Sequence, residues 1–417
     1  MLYVCDKCGS KNFGKSRKCY TCSNITNAGV VTSFLGEVGF ISPACHAVGG
    51  VESWHQSLLP HLRSVSGFVA VYPDHASGLN DTRFGCKVGT GLAAAQSLAR
   101  SSKVMVCWNV ADFMQQIAAS SPACKIILVS HAEPINTWTN SHIYKSAKYA
   151  DRIVSVSSAG IDIKGLHPKP ILIPNAPDPK RIVRHNVIEK PSRKLAVVIT
   201  RLSREKRLHL LAEAFGRHLS DWELWIVGGN NGLDYPAIPA YENVRLFPPT
   251  HTPGDYYAIA DACVSASEEE GYGLSSAEGL LAGLPLISTQ VGFLEAKPHL
   301  ATIVPQDASA EDWAAAVQSA TRKPTDDLDR FEDFVASWQG LIDNLMASPP
   351  KAQAKMAICR SNRCGKYVQE KDACSLLLAR GGAGQISYLQ ANPWTKCVDN
   401  PPQFLSDLPI DSLGSGR

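Results

Sequence analysis

The sequence predicts an α/β protein with two Rossmann-like halves, a small zinc ribbon-like module at its N-terminus and a cysteine-containing segment at its C-terminus. Three observations carry this. Short β-rich runs, GFVAVYP, KVMVCWN, KIILVSH and RIVSVSS, alternate with segments of helical length, the pattern of buried parallel strands. A second strand and helix series starts at LAVVITRLSREKRLHLLAEAF, after a proline-bearing stretch that ends the first. Two Cys-x2-Cys turns precede both series, and four more cysteines follow them.

The composition is that of a folded chain: 417 residues, 19% charged and 45% apolar. Wholesale disorder is excluded, and the length suits several domains. A net charge of +3 argues for no partner by itself. No apolar run approaches the roughly 18 residues of a membrane span, and the N-terminus lacks the apolar core of a secretion signal. The expectation is therefore a cytoplasmic protein without a transmembrane segment. Cys45, Cys86, Cys107, Cys124 and Cys263 stand mostly beside apolar residues and read as core thiols.

Residues 1–26 hold Cys5-x2-Cys8 and Cys19-x2-Cys22. Paired turns of this spacing aim four thiolates at one tetrahedral Zn²⁺, and so short a segment cannot fold on core burial alone. Lys7, Lys11, Lys15, Arg17 and Lys18 face one acid, Asp6, with Tyr3, Phe13 and Tyr20 interleaved, a mixture suited to phosphates and stacked bases. A ribbon that merely docks on its own protein or a partner accounts for the same residues.

The first Rossmann-like domain is assigned to 27–187. Gly49-Gly50-Val51-Glu52 precedes the helical stretch ESWHQSLLPHL, and a glycine pair at a helix start admits a diphosphate. His131 ends the KIILVS strand, where side chains of open α/β sheets face the ligand crevice. Asp74, His75 and Asp81 lie in a polar loop after VAVYP, within reach of an acceptor. ILIPNAPDPKRI and KPSRK form a linker, and the second domain spans 188–348. Arg201 and Lys206 sit at the C-terminal side of its first strand, where cations neutralise a diphosphate. WELWIVGG and NVRLFPP supply further strands.

The stretch Glu268 to Pro285 concentrates the chemistry. VSAS ends a buried strand, and Gly271 and Gly273 turn the backbone close to a ligand. Ser275 or Ser276 is the expected cap of a helix that continues through Ala277 to Ala282 and stops at Gly283 and Pro285. The helix start offers N–H groups to a phosphate, while Glu270 and Glu278 call for hydroxyls on the same ligand. Helices are expected around Glu311 to Ala320 and over Asp327 to Met346, the latter a core-packing helix. In 349–417, Cys359, Cys364, Cys374 and Cys397 allow a second zinc site, although their separations match no common ribbon, and Asn400 to Arg417 reads as a tail.

In chain order, GGVE, SH, IPN, TRLSREKR, IVGG and SEEEGYGLSSAEGLLAGLPLIST resemble the family 4 retaining glycosyltransferases, which have the GT-B fold of two facing Rossmann-like domains. The resemblance runs over residues 38–347 and is densest between 195 and 295. It implies that Glu270 contacts hydroxyls of a donor sugar, Glu278 holds the ribose, Arg201 and Lys206 bind the diphosphate, Gly49-Gly50 closes over the phosphates, and His131 lies near the sugar. Gly271, Tyr272, Gly273 and Leu274 complete the donor site for a nucleotide sugar, UDP-linked by preference. The chain departs from the pattern at Gly292-Phe293, with an acidic residue only at Glu295, and in the small residues of SAEGLLAG.

Glu270, His131, Arg201 and Lys206 are the candidate catalytic residues. No D-x-D motif stands near a strand end, in keeping with the metal-independent, same-face transfer that the resemblance implies. The cationic, cysteine-bearing ends point to a polyanion, and a hydroxymethylated pyrimidine in DNA, in a viral setting, is the acceptor that uses every part. A glycan, lipid carrier or protein acceptor is the second expectation, and a non-catalytic nucleic-acid or protein-binding adaptor the third. A sugar-nucleotide epimerase of the same fold fits the Glu-x7-Glu context less well.

Overall fold

A computed structural model describes residues 34, 36–43, 49–72, 84–131, 143–158, 166–229 and 237–349, and the backbone of four short strands near the chain ends. Two of these, β1 (Leu2–Val4) and β2 (Lys11–Phe13), pair antiparallel, with Cys5 and Cys8 in the connecting sequence.

The first domain is a seven-stranded parallel sheet. Its strands are β3 (Val38–Ser42), β4 (Val65–Ala70), β5 (Val88–Thr90), β6 (Val104–Cys107), β7 (Lys125–Ser130), β8 (Arg152–Ser155) and β9 (Pro170–Leu172), in the order β5-β4-β3-β6-β7-β8-β9. Successive side chains point to opposite faces, so the inner strands feed two apolar layers, while Ile171 and Leu172 of the edge strand β9 are exposed. Val104 and Val106 of β6 join one cluster with Trp54 and Leu58 of α1 (Gly50–Leu58). Met105 and Cys107 join another with Leu98 of α2 (Gly91–Ser101), Met114 and Ile117 of α3 (Met114–Ser120) and Ile143 of a short helix over 143–147. Burial on both faces is why these strands read as unbroken apolar runs.

The second domain repeats the plan with six parallel strands: β10 (Lys194–Ile199), β11 (Trp222–Val227), β12 (Val244–Phe247), β13 (Ala262–Ser265), β14 (Leu286–Ser288) and β15 (Thr302–Ile303), ordered β12-β11-β10-β13-β14-β15. α4 (Leu208–His218) and α7 (Ala310–Ser319) cover one face through Leu211, Phe215, Trp313 and Val317. α7 opens on a capping box in which Ser309 Oγ accepts from Asp312 N at 3.2 Å and Asp312 Oδ2 accepts from Ser309 N at 2.9 Å. α5 (Gly254–Tyr257) and α6 (Leu274–Leu281) lie on the other face. The linker is pinned by Asp255, which accepts from the backbone N–H of His185 at 2.5 Å and of Asn186 at 2.7 Å.

α8 (Phe331–Ala347) crosses back to the first domain. Phe331, Phe334, Trp338, Ile342 and Leu345 form its buried stripe. Trp338 meets Trp54 with ring centroids 5.2 Å apart, Phe331 meets His61 at 5.2 Å, and Arg63 Nη2 donates to Asp343 Oδ2 at 2.6 Å. The expected start at Asp327 is corrected to Phe331: Asp329 is bonded by Tyr272 and Lys297, at 2.8 and 2.9 Å, which holds the preceding segment outside the helix.

The zinc expectations at Cys5, Cys8, Cys19, Cys22, Cys359, Cys364 and Cys397 lie outside the described residues. Cys374 is placed only by its backbone, in β17 (Ala373–Cys374), which pairs antiparallel with β16 (Tyr367–Val368). Cys107, Cys124 and Cys263 are buried and Cys86 is partly so, as a core reading expects, while Cys45 lies outside the described residues. Burial pushes the Cys86 and Cys263 thiols up to about 12, so neither is a nucleophile at neutral pH. Among the described residues no helix is long and apolar enough to cross a membrane.

Candidate active site

In an open α/β sheet the ligand crevice lies at the carboxyl ends of the strands, where the chain reverses its direction of progress across the sheet. In the second domain that point falls between β10 and β13, the neighbours from which the sheet grows in opposite directions. Arg201 follows β10, and the loop with Glu270 follows β13. Topology thus brings two separate motifs to one crevice.

The Glu270 carboxylate is fixed. Its Oε1 accepts from Lys206 Nζ at 2.7 Å and from Ser267 Oγ at 2.8 Å. Lys206 is only 6% exposed, so the ammonium is aimed by its surroundings and its partner. Ser267 is itself held, its carbonyl accepting from Thr289 Oγ1 at 2.6 Å. Arg201 is different: it lies open to solvent and makes a longer contact of 3.4 Å to Glu205. Such a surface pair contributes little, so the guanidinium is free to turn to a ligand at small cost.

Two glycines shape the loop. Gly273 has φ +90° and stands at the N-cap of α6, and Gly292 has φ +61°. A Cβ at Gly292 would come within 2.3 Å of the Tyr272 carbonyl oxygen, the atom that accepts from Phe293 N at 2.9 Å. No side chain caps α6, which corrects the expectation for Ser275 and Ser276: both lie inside its first turn. A left-handed glycine enters the helix directly and leaves its first N–H groups without a side-chain cap.

Glu278 is 3% exposed on the buried side of α6. Arg181 Nε meets its Oε1 at 2.5 Å, and Tyr257 OH lies 3.4 Å from its Oε2 while donating to Ser275 O at 2.9 Å. Burial works against the Arg181 charge, but Glu278 outweighs it and the guanidinium is raised above its ordinary value. Burial, reinforced by the Glu278 charge, pushes the Tyr257 phenol well up, so it stays a donor. The Tyr272 ring is buried against Phe293 and bonded to Asp329, leaving its backbone to shape the loop. Leu274 opens α6 beside it.

Across the cleft, Gly49 and Gly50 start α1. A Cβ at Gly50 would meet nothing within 4 Å, whereas one at Gly49 would lie 2.6 Å from Glu52 Oε2. Glu52 folds back over its own helix start, and burial raises its carboxyl against the pull of its backbone N–H and of Arg201 from the other domain. His131 sits in an aromatic cluster, its ring 4.9 Å from Trp54 and 5.8 Å from Trp108. Burial, helped by His55, lowers it to about 3, so the imidazole is neutral, and its buried Nε2 has no hydrogen-bond partner among the described residues.

The structure therefore unites Lys206 with Glu270, sets Arg201 at the same crevice, and places Gly49, Gly50 and His131 on the first domain. Asp74, His75 and Asp81 lie outside the described residues. Arg181, Ser267, Tyr257 and Glu52 were not anticipated. The PDPKR run holding Arg181 carried only a linker signal, although a cation beside IPN was visible there.

Residues 193–323 match the family described as glycosyl transferases group 1. Over 182 residues the chain is 26% identical to a D-inositol 3-phosphate glycosyltransferase of Geodermatophilus obscurus; the match covers 38% of this chain and 40% of that protein, less than half of the relative's length. Among solved structures it resembles HepE of Anabaena in complex with UDP-glucose, with a TM-score of 0.57 and 13% identity over 75% of this chain and 95% of that one. Sucrose-phosphate synthase of Thermosynechococcus elongatus gives a TM-score of 0.57 and 13% identity, over 75% and 99%. At such identities the likeness is one of fold, and that fold is GT-B.

Proposed function

We propose that the protein is a glycosyltransferase that moves a sugar from a nucleotide-sugar donor, UDP-linked by preference, to a hydroxyl acceptor. The observation that carries this is the Lys206–Glu270 pair at the crevice of the domain matching the glycosyl transferase family. HepE, of the same fold, was solved with UDP-glucose. In this reading Arg201, Lys206 and the N–H groups of α6 neutralise the diphosphate, Glu270 accepts from sugar hydroxyls, and Glu278 holds the ribose by way of its Arg181 partner. Gly49 and Gly50 close over the phosphates from the other side, with open space beside Gly50, where a Cβ would meet nothing within 4 Å.

The reaction we favour retains configuration. The bond from the anomeric carbon to the diphosphate oxygen breaks, a bond to the acceptor oxygen forms on the same face, and the acceptor proton passes to the departing diphosphate. His131, whose imidazole is neutral, is the first-domain residue that this reading sets near the sugar. The test is nucleotide-sugar turnover across a donor panel. Glu270→Ala, and Arg201→Ala with Lys206→Ala, should each lose about 100-fold or more while the circular dichroism stays unchanged. Undiminished turnover in both would sink the assignment.

Zinc at Cys5, Cys8, Cys19 and Cys22 belongs to the same reading. The β1–β2 hairpin fits a ribbon whose first cysteine pair lies in the connection, and the metal would supply folding energy to that module. A hydroxymethylated pyrimidine in DNA, in infected cytoplasm, is the acceptor that the basic ends would serve. Nucleoside mass spectrometry after incubation with modified DNA tests it.

A further inference from the structure

Among the described residues other than glycine, three have a positive φ: Ser64, Asn109 and Arg207. Arg207, with φ 46° and ψ 39°, is the largest of them. In this left-handed region a Cβ crowds the following carbonyl, so a turn that needs it ordinarily takes glycine or asparagine. Arg207 ends the 3-10 turn Arg204–Lys206 and stands at the N-cap of α4, one residue after Lys206. Backbone strain of this kind collects at functional sites, where the surrounding bonds hold it in place.

The Arg207 side chain supplies such bonds. Its Nε donates to Ala266 O at 2.7 Å, its Nη2 to Gln306 Oε1 at 2.7 Å and its Nη1 to Gln306 O. Gln306 extends the link: its Nε2 donates to Glu268 O at 3.2 Å and lies 3.4 Å from Ser267 O. On the other side of Lys206, Glu205 O accepts from Glu268 N at 2.8 Å. Both chain neighbours of Lys206 are thus fastened to 266–268, the segment that carries Ser267, while Lys206 Nζ and Ser267 Oγ both bond Glu270. A planar guanidinium with all three nitrogens engaged fixes direction as well as distance, which the single ammonium of a lysine cannot reproduce.

We propose that Arg207 is a positioning residue that aligns Lys206 with Glu270 by locking the turn after β10 to the loop after β13. The proposal rests on the transfer reading above, in which that pair meets the diphosphate and the sugar. A displacement of about 1 Å at reacting groups costs on the order of 100-fold in rate, so a support that touches no ligand acts on kcat.

The experiment is steady-state UDP release from UDP-glucose by the full chain, beside acylation of the Lys206 amine read by peptide mass spectrometry. Arg207→Gly eases the backbone and removes the guanidinium; it should lower kcat about tenfold or more and move KM less than about threefold. Arg207→Lys should not restore kcat. Gln306→Ala should lower kcat about threefold or more, and because Gln306 is exposed this variant carries the test if Arg207→Gly does not fold. Arg207→Gly with Gln306→Ala should be no slower than the slower single variant, since both act through one path. Lys206, 6% exposed, should be labelled several-fold faster in each single variant than in the wild type. The proposal is overturned if both single variants keep the kcat of the wild type, if their losses multiply in the double variant, or if Lys206 stays as protected as in the wild type. A wild type that turns over no nucleotide sugar, with Lys206 still labelled faster in the variants, would sink the transfer reading and leave the alignment standing.

Discussion

Single residues in this protein are tuned mostly by burial. His55 is 1% exposed, its Nδ1 lies 2.9 Å from Val51 O, and burial lowers it from 6.5 to about 3. The unfolded chain therefore takes up a proton first as pH falls below 6.5, and the folded state loses stability from there down to about 3. At pH about 5 the loss from His55 alone is about 2 kcal/mol relative to neutral pH. His131 acts in the same direction. Urea unfolding of the wild type and His55→Leu at the two pH values should show the variant losing about 2 kcal/mol less on acidification; equal losses would mean that His55 does not titrate with folding. Arg181 teaches the complementary lesson. Its charge is held by Glu278, a residue 97 positions away, and no local pattern announces such a partner.

At the scale of elements, strands were the legible part. Runs such as KIILVS and WELWIV are buried along their whole length, so composition alone reveals them, whereas β5, β9 and β15 are two or three residues long and leave no run to read. The loop after β13 was legible as a ligand-binding turn because glycine and carboxylate cluster there. Its helix start was misjudged, since serines are common caps and nothing local tells that Gly273 serves instead. Gly292, noted only as a departure from the family pattern, turns out to buttress that loop. Its φ of +61° and the 2.3 Å approach of a Cβ to Tyr272 O involve backbone, which cannot swing aside. Gly292→Ala should cost about 1–3 kcal/mol of stability, displace Tyr272 and its neighbour Glu270, and lower donor turnover about tenfold or more. A folded Gly292→Ala protein with full donor turnover would show that the loop has another support.

The two domains form one working unit because α8 joins them, and its helical spacing was legible while its partner was not. The apolar stripe predicts burial without naming the surface that receives it; contact with Trp54 is a tertiary fact. Trp338 is fully buried, packs 5.2 Å from Trp54, and Trp54 in turn packs 4.9 Å from His131. The strut therefore ends on the same ring that positions the first-domain side of the cleft. Removing a buried tryptophan costs about 3–5 kcal/mol, the lost transfer energy plus a cavity. In Trp338→Ala that loss falls on the junction, while the capping box of α7 and the Asp255 clamp of the linker remain within the second domain. Calorimetry should then resolve two transitions where the wild type has one, and donor turnover should fall further than donor binding, because the nucleotide half of the site survives and the alignment with His131 does not. A single transition with turnover and binding reduced in proportion would place the rigidity of the cleft in contacts other than α8.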